Sequence, residues 1–246
     1  MKRWIAVFLT LVLLVPLCLQ AFAASDSEQN TADALHALNL FMGYGDDADG
    51  NPVYGLDDDL NRAQGLVLLI RMLGKEAEAK ACTDSHPFTD VDAGYKCYVA
   101  YAYKTGLTKG VSATKFGSND LMNSTMFTTF CLRALGYTDS GANADFAYND
   151  AAAFAEQKGI TAAEQGENGG ITRGGAVLEF WDTLCSPVKG KDTLLADRLS
   201  SAGLFTAMEF AAAVELQGSG ESYVSASASD LRVQASPRAL KRERRL

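Results

Sequence analysis

The sequence predicts an all-α fold: three helical hairpins arranged as repeated units, followed by a helical extension. Three observations predict it. Apolar residues recur at helical spacing in three separate segments, each of those segments opens on a capping residue, and each is preceded by a helix that a glycine stops. The glycine-to-cap intervals, Gly43 to Asn61, Gly106 to Asn123 and Gly159 to Thr172, are 18, 17 and 13 residues. Near-constant spacing of this kind marks a repeat of helix pairs. A lone pair cannot bury its own stripe, so the three second helices are expected to pack on one another.

The first unit, 32–78, has Leu35, Leu38 and Met42 on a helix expected over Ala32–Met42, with Ala24–Thr31 as a loose start. After the acidic loop Asp46–Asp59, Asn61 caps a helix running to Gly74, with Leu66, Leu69, Ile70 and Leu73 at i, i+3, i+4 and i+7. In the second unit, 79–138, the helix Cys97–Thr105 ends at Gly106, and Asn123 caps a helix bearing Thr128, Cys131, Leu132 and Leu135. The third unit, 145–186, has a helix from about Asp150 to Gly159, and Thr172 caps one carrying Val177, Phe180, Trp181 and Leu184. Beyond Pro187, the apolar residues of 190–216 predict one or two helices docked on the third unit. The Gly, Ser and Ala-rich run 217–246, which ends in Arg242, Arg244 and Arg245, is expected to be a disordered basic tail.

Residues 1–23 read as a secretory signal: Lys2 and Arg3, an apolar run from Trp4 to Leu19, then Ala21-Phe22-Ala23 as a small-x-small cleavage site. Cys18 raises lipid attachment, but Pro16-Leu17 lacks the small residues that this requires. No later stretch reaches the roughly 20 apolar residues of a bilayer span. Without the signal, 20 basic residues stand against 30 acidic ones; residues 24–230 hold 14 against 29. A body of that sign repels nucleic acid and anionic membrane, so any anionic partner must be met by local pockets that present arginine.

Four cysteines follow the signal: Cys82, Cys97, Cys131 and Cys185. In an exported chain they permit disulfides with three connectivities. Cys82 and Cys97 bracket the Phe88-x-Asp90-Val91 loop and are the candidate pair; Cys131 sits on an apolar helix face, where a buried thiol is at least as good a reading. Only His36 and His86 are present, with no nucleophile motif pointing to either and no clustered ligands for a metal. No enzyme activity and no cofactor are expected. The loop Asp46–Asn51 fails as a calcium loop, because Gly45 and Leu56 fall where carboxylates are required, and it reads as a solvated turn.

Two helix starts carry the more informative chemistry. Asn61-Arg62-Ala63-Gln64 and Thr172-Arg173-Gly174-Gly175 each place an arginine directly after the cap. A planar fork of donors beside free helix-start amides suits a carboxylate or phosphate; the alternative is pairing with Asp59 or another loop carboxylate.

The stretch Phe88–Tyr137 combines Phe88-x-Asp90-Val91, the helix Tyr98–Gly106, a loop from Gly110 to Phe116 and a capped helix. With the starts Asn61-Arg62-Ala63-Gln64 and Ile171-Thr172-Arg173, it resembles the S-layer homology domain over roughly Ala32–Cys185. The resemblance implies a pseudo-threefold bundle of three repeats. Its grooves in that family bind a secondary cell-wall polysaccharide, often with a pyruvylated terminal sugar. It implies a secreted protein of the cell wall or S-layer in a Gram-positive-type envelope, with an anionic wall polymer as partner. The ligand-binding residues it implies are Arg62, Arg173, Asn61, Thr172 and Tyr95. The middle start is Asn123-Ser124-Thr125 and lacks the arginine, and the family's tryptophan is replaced by Tyr95 or Tyr98. These departures leave open a second expectation, a structural or protein-interaction module on the same fold that has lost glycan binding.

Overall fold

The computed structural model describes residues 26–218. The signal reading and nearly all of the basic tail lie outside the described residues. The fold is all-α: among the described residues there are helices and isolated bridges but no strand. The helices are α1 (Asp26–Ala37), α2 (Arg62–Met72), α3 (Glu76–Lys80), α4 (Lys96–Thr105), α5 (Ser124–Ala134), α6 (Ala151–Gln157), α7 (Arg173–Leu184), α8 (Leu195–Ser201) and α9 (Ala207–Gly218).

The expected caps of α2, α5 and α7 are present. Asn61, Asn123 and Thr172 have φ/ψ of −85/167°, −88/166° and −85/168°, and each side chain accepts from a backbone N–H three residues on. Asn61 completes a capping box with Gln64. The residues just before these caps close a ring. Leu60 N–H donates to the Ile171 carbonyl (3.2 Å), Ile171 N–H to Met122 (2.8 Å) and Met122 N–H to Leu60 (2.8 Å). All three residues are buried, so water cannot replace these bonds and the ring fixes the three helix starts against one another.

Packing follows the same order. The stripe helices α2, α5 and α7 touch one another around a core that includes Leu66, Leu69, Phe127, Leu132, Val177 and Phe180. Each then receives the first helix of the next pair: α4 packs on α2, α6 on α5, and α1, from the start of the chain, on α7. This is the main departure from the sequence expectation. Asp26–Thr31 is helical rather than loose, because Ala32, Ala34 and Leu35 bury against α7 and α9 and hold the whole segment. The helix also ends before Met42: Asn39 takes the left-handed turn at φ 56°, the role of Gly106 at φ 80°. Gly43, read as the stop, instead corresponds to Gly110, each lying four residues past its turn. The C-terminal extension is two helices, α8 and α9. Although α8 and Phe210 contact α7, α9 packs chiefly on α1 rather than on the third pair.

The Phe88-x-Asp90-Val91 motif has a structural account. The Asp90 carboxylate accepts the N–H groups of Phe116 and Gly117, both at 2.8 Å, and so ties the far end of the glycine loop to the start of the second pair. Gly110 is obligatory in that loop: at φ 75°, a Cβ there would meet the Phe88 ring at 2.3 Å and the Lys115 carbonyl at 2.5 Å. The loop Asp46–Asn51 is a closed turn, with Asp47 Oδ1 accepting from the Asp49 and Asn51 N–H groups. The candidate disulfide is absent. Cys82 and Cys97 are free thiols; Cys82 Sγ donates to Asp84 (3.4 Å) and Cys97 lies half-buried against the core. Cys131 and Cys185 are buried thiols.

Candidate functional site

Arg62 opens α2, and its guanidinium reaches across to the second helix pair rather than towards its own preceding loop. Its Cζ lies 5.1 Å from the centre of the Phe116 ring and 4.9 Å from that of Phe130. The residue is 5% exposed, its Nε has no hydrogen-bond partner, and its guanidinium makes no ion pair among the described residues. Burial pushes the group down to about 10, against the favourable influence of Tyr148 and Asp120. It lines a cavity of about 400 Å³ with Lys109, Gly110, Arg133, Asp139 and Tyr148, a size that suits a small ligand. Arg133 and Asp139 form a bidentate pair at 3.1 and 2.8 Å, and Lys109 adds a contact to Asp139 at 2.8 Å. Burial works against the Asp139 anion, but these two cations outweigh it and hold the carboxyl down at about 2.

Arg173 repeats the arrangement at the start of α7. Its Cζ lies 5.1 Å from the Phe41 ring and 4.4 Å from that of Tyr44, and its Nε donates to the Tyr54 carbonyl at 2.8 Å. Burial lowers its pKa too, with Tyr44 and Asp58 acting in the opposite sense. A second cavity of about 400 Å³ joins it to Asp59, Gln64, Arg71, Glu76 and Tyr95. Arg71 is paired with Glu76 at 3.0 Å, as Arg133 is with Asp139. The Glu76 carboxyl is held at about 2: burial opposes its charge, but hydrogen bonds from Lys80, Tyr98 and Arg71 outweigh it.

The two grooves correspond residue by residue. Arg71 and Arg133 each stand ten residues beyond their caps, and Leu68 and Phe130 seven. Tyr95 and Tyr148 each stand eleven residues before the glycine that ends their helix. Each groove therefore draws on all three pairs: an arginine from one stripe helix, a wall from the next pair and a tyrosine from the third.

At the third equivalent place the chemistry is reversed. Ser124 replaces the arginine, and its N–H donates to Gln165 Oε1 at 3.3 Å. Glu179 stands at the position of Phe130 and Asp182 at that of Arg133. Both carboxylates are turned to the loop, accepting from Ala163 N–H at 2.9 Å and Thr161 N–H at 2.8 Å. Glu28, eleven residues before Asn39, takes the place of the tyrosines, and a Cβ on Gly174 would lie 2.6 Å from its carboxylate. This position has no arginine to offer an anion, and its acidic side chains are engaged with the neighbouring loop.

Of the residues singled out in the sequence, Arg62, Arg173 and Tyr95 line cavities, with Tyr95 sharing one with Arg173. Asn61 and Thr172 line neither; their side chains are occupied as caps. The helix-start amides are not free either. Arg62 and Ala63 N–H donate to the Asp120 and Ser118 carbonyls, and Arg173 and Gly174 N–H to those of Asp58 and Leu56, so of these groups the guanidinium alone is left to the cavity. Asp59, the alternative partner, instead accepts from Asn168 at 2.6 Å. Lys109, Tyr148, Arg71 and Arg133 were not anticipated, although the shared offset of ten residues marks the last two. Both histidines pack locally: His36 lies edge-on to Tyr54, and His86 accepts from Phe88 N–H. Among the described residues no cluster of three or more ligating side chains could hold a metal ion.

No family model matches the chain. It is 31% identical over 210 residues to the cell surface protein of Thermoanaerobacter kivui, covering 79% of this chain and 26% of that relative. It is 31% identical over 153 residues to the middle cell wall protein of Brevibacillus brevis (57% of this chain, 14% of the relative). The surface layer protein of Brevibacillus choshinensis is 28% identical over 151 residues (57% and 13%). The chain thus spans about a quarter or less of the length of these relatives. They support a cell-surface role, and among the described residues no helix is long and apolar enough to cross a membrane.

Proposed function

We propose that the chain is a module of three S-layer homology units that holds its protein non-covalently on an anionic secondary polymer of the cell wall. On this reading it is secreted to a Gram-positive-type wall or S-layer and performs no catalysis. The observation that carries the reading is Arg62, a nearly buried guanidinium with no anionic partner that lines a cavity sized for a sugar. An unpaired buried cation is costly, and it persists where a ligand supplies the missing charge. The hydrogen-bonded ring of helix starts, the matching Arg173 groove and the three surface-protein relatives support the same reading.

Retention on purified walls, with and without their secondary polymer, tests it. Binding is expected only to walls that keep the polymer, and equal retention on stripped walls sinks the proposal. The third position, where Ser124 stands in place of an arginine, favours a second reading, a structural or protein-interaction module that no longer grips glycan. The double variant Arg62→Ala, Arg173→Ala separates the two, since undiminished wall retention selects the second.

A further inference from the structure

The two arginine grooves share a plan but not a charge. The Arg62 groove holds Arg62, Lys109 and Arg133 against a single carboxylate, Asp139. The Arg173 groove holds Arg173 and Arg71 against two, Asp59 and Glu76. The difference has two sources: Asp59, whose counterpart two residues before the next cap is Leu121, and the residue ahead of a matching glycine turn. Gly110 and Gly43 occupy matching left-handed turns, at φ 75° and 63°, and the residue before each lines its groove: Lys109 in one, Met42 in the other. Met42 is 51% exposed, and the Lys109 side chain 41%. Arg133 and Asp139 hold each other bidentately with only 9% of either side chain exposed, so they are the fixed part of the Arg62 groove. Lys109 meets Asp139 at one atom and also donates to Ser140 Oγ, but its own side chain is 41% exposed, so its pairing is the one that exchanges more readily for another anion.

We propose that the grooves divide a ligand unequally: the Arg62 groove takes the acidic substituent, and Lys109 is one residue that determines this. Arg62 supplies a fixed, dry guanidinium on the aromatic side of the cavity, and Lys109 closes on the same anion from the wet side. The Arg173 groove offers its arginine within a balanced set of charges and beside the exposed Met42 and Tyr44, so it takes a weakly charged or neutral sugar. This inference rests on the glycan-binding reading above and assigns the two grooves different parts of that ligand.

The test uses the chain with sodium glucuronate as a monoanionic probe and glucose as a neutral one, following the backbone amides of Gly110 and Gly43 by NMR. Each glycine reports its own groove. The Gly110 signal is expected to saturate at about tenfold lower glucuronate than that of Gly43, about 1.4 kcal/mol, with no such preference for glucose. Lys109→Met should remove a substantial part of the difference, and Met42→Lys should tighten the Gly43 groove; both side chains are exposed, so the fold tolerates the exchange. Equal midpoints in the unaltered chain, or a ratio that neither exchange moves, overturn the inference while leaving the wall-binding reading intact. Silence at both glycines also overturns it, and wall retention by the Arg62→Ala, Arg173→Ala variant then decides whether the underlying reading falls with it.

Discussion

The Arg62 guanidinium lies 4.9 Å from the centre of the Phe130 ring, and Phe130 belongs to α5, the one stripe helix whose own start has no arginine. The second helix pair thus furnishes a wall for its neighbour's cation rather than a cation of its own.

Arg62→Met should separate binding from stability. Burial places the folded pKa near 10, below the unfolded value, so the folded state binds fewer protons between those values. The charged form therefore costs stability throughout the neutral range, and the cost is relieved only as pH rises through 10. Methionine removes that cost and keeps most of the packing, at the loss of the ring contacts. Unfolding free energy at pH 7 is expected to stay level or rise by about 1 kcal/mol, while wall retention falls. Thermal or denaturant unfolding checks this, and a marked loss of stability contradicts it.

Asp139→Asn should reveal itself in acid. The folded carboxyl sits near 2 and the unfolded one at 3.8, so its contribution is complete above 3.8 and disappears as pH falls through 2. The full shift overstates it, because Lys109, one of the two partners, is exposed. A loss of about 1 to 2 kcal/mol at pH 7 is expected, with the two proteins converging near pH 2. Denaturant midpoints measured across that range decide the matter.

Glu179→Gln should act at the opposite end. Complete burial raises the Glu179 carboxyl to about 8 from 4.5, although the hydrogen bond that it accepts from Ala163 N–H favours its charge. The folded state then holds a proton that the unfolded state has released, so stability declines as pH rises from 4.5 to 8 and levels beyond. Glutamine keeps the acceptor for Ala163 N–H without that linkage. Its melting temperature should be nearly flat between pH 5 and 8 and should exceed that of the parent at pH 8; parallel profiles would sink the assignment.

Asp90→Ala leaves the Phe116 and Gly117 N–H groups without their acceptor. The expected destabilisation is about 1 to 3 kcal/mol, together with weaker binding in the Arg62 groove, whose guanidinium packs on the Phe116 ring. The Gly43 signal of the other groove should respond to glucuronate as before. Equal weakening in both grooves would mean that Asp90 acts through global stability instead.

Much of this was legible in the sequence because it depends on local rules. Asn61, Asn123 and Thr172 cap their helices through bonds three residues away, and the stripes of α2, α5 and α7 follow helical periodicity. What escaped depends on contacts between distant segments. Asp26–Thr31 looks polar and unstructured, and is helical because of what α7 and α9 lay against its far face. Arg71 and Arg133 read as cations in a last helical turn, where the dipole alone would account for them. Their role emerges only when Tyr95 and Tyr148 arrive from a different pair. Lys109 carried no local signal, since its significance lies in the contrast with Met42.

Closure of the ring also dictates an order of assembly. The helix that completes the partnership of α7 is α1, the first described helix, so α1 must wait for segments far along the sequence before it finds its permanent contacts on α7 and α9. Loop-closure entropy makes so remote a pairing slow, and partial chains present the apolar faces of α1 and α7 to solvent. Such a late-closing latch leaves the bundle open on one side until α7 and α9 are in place.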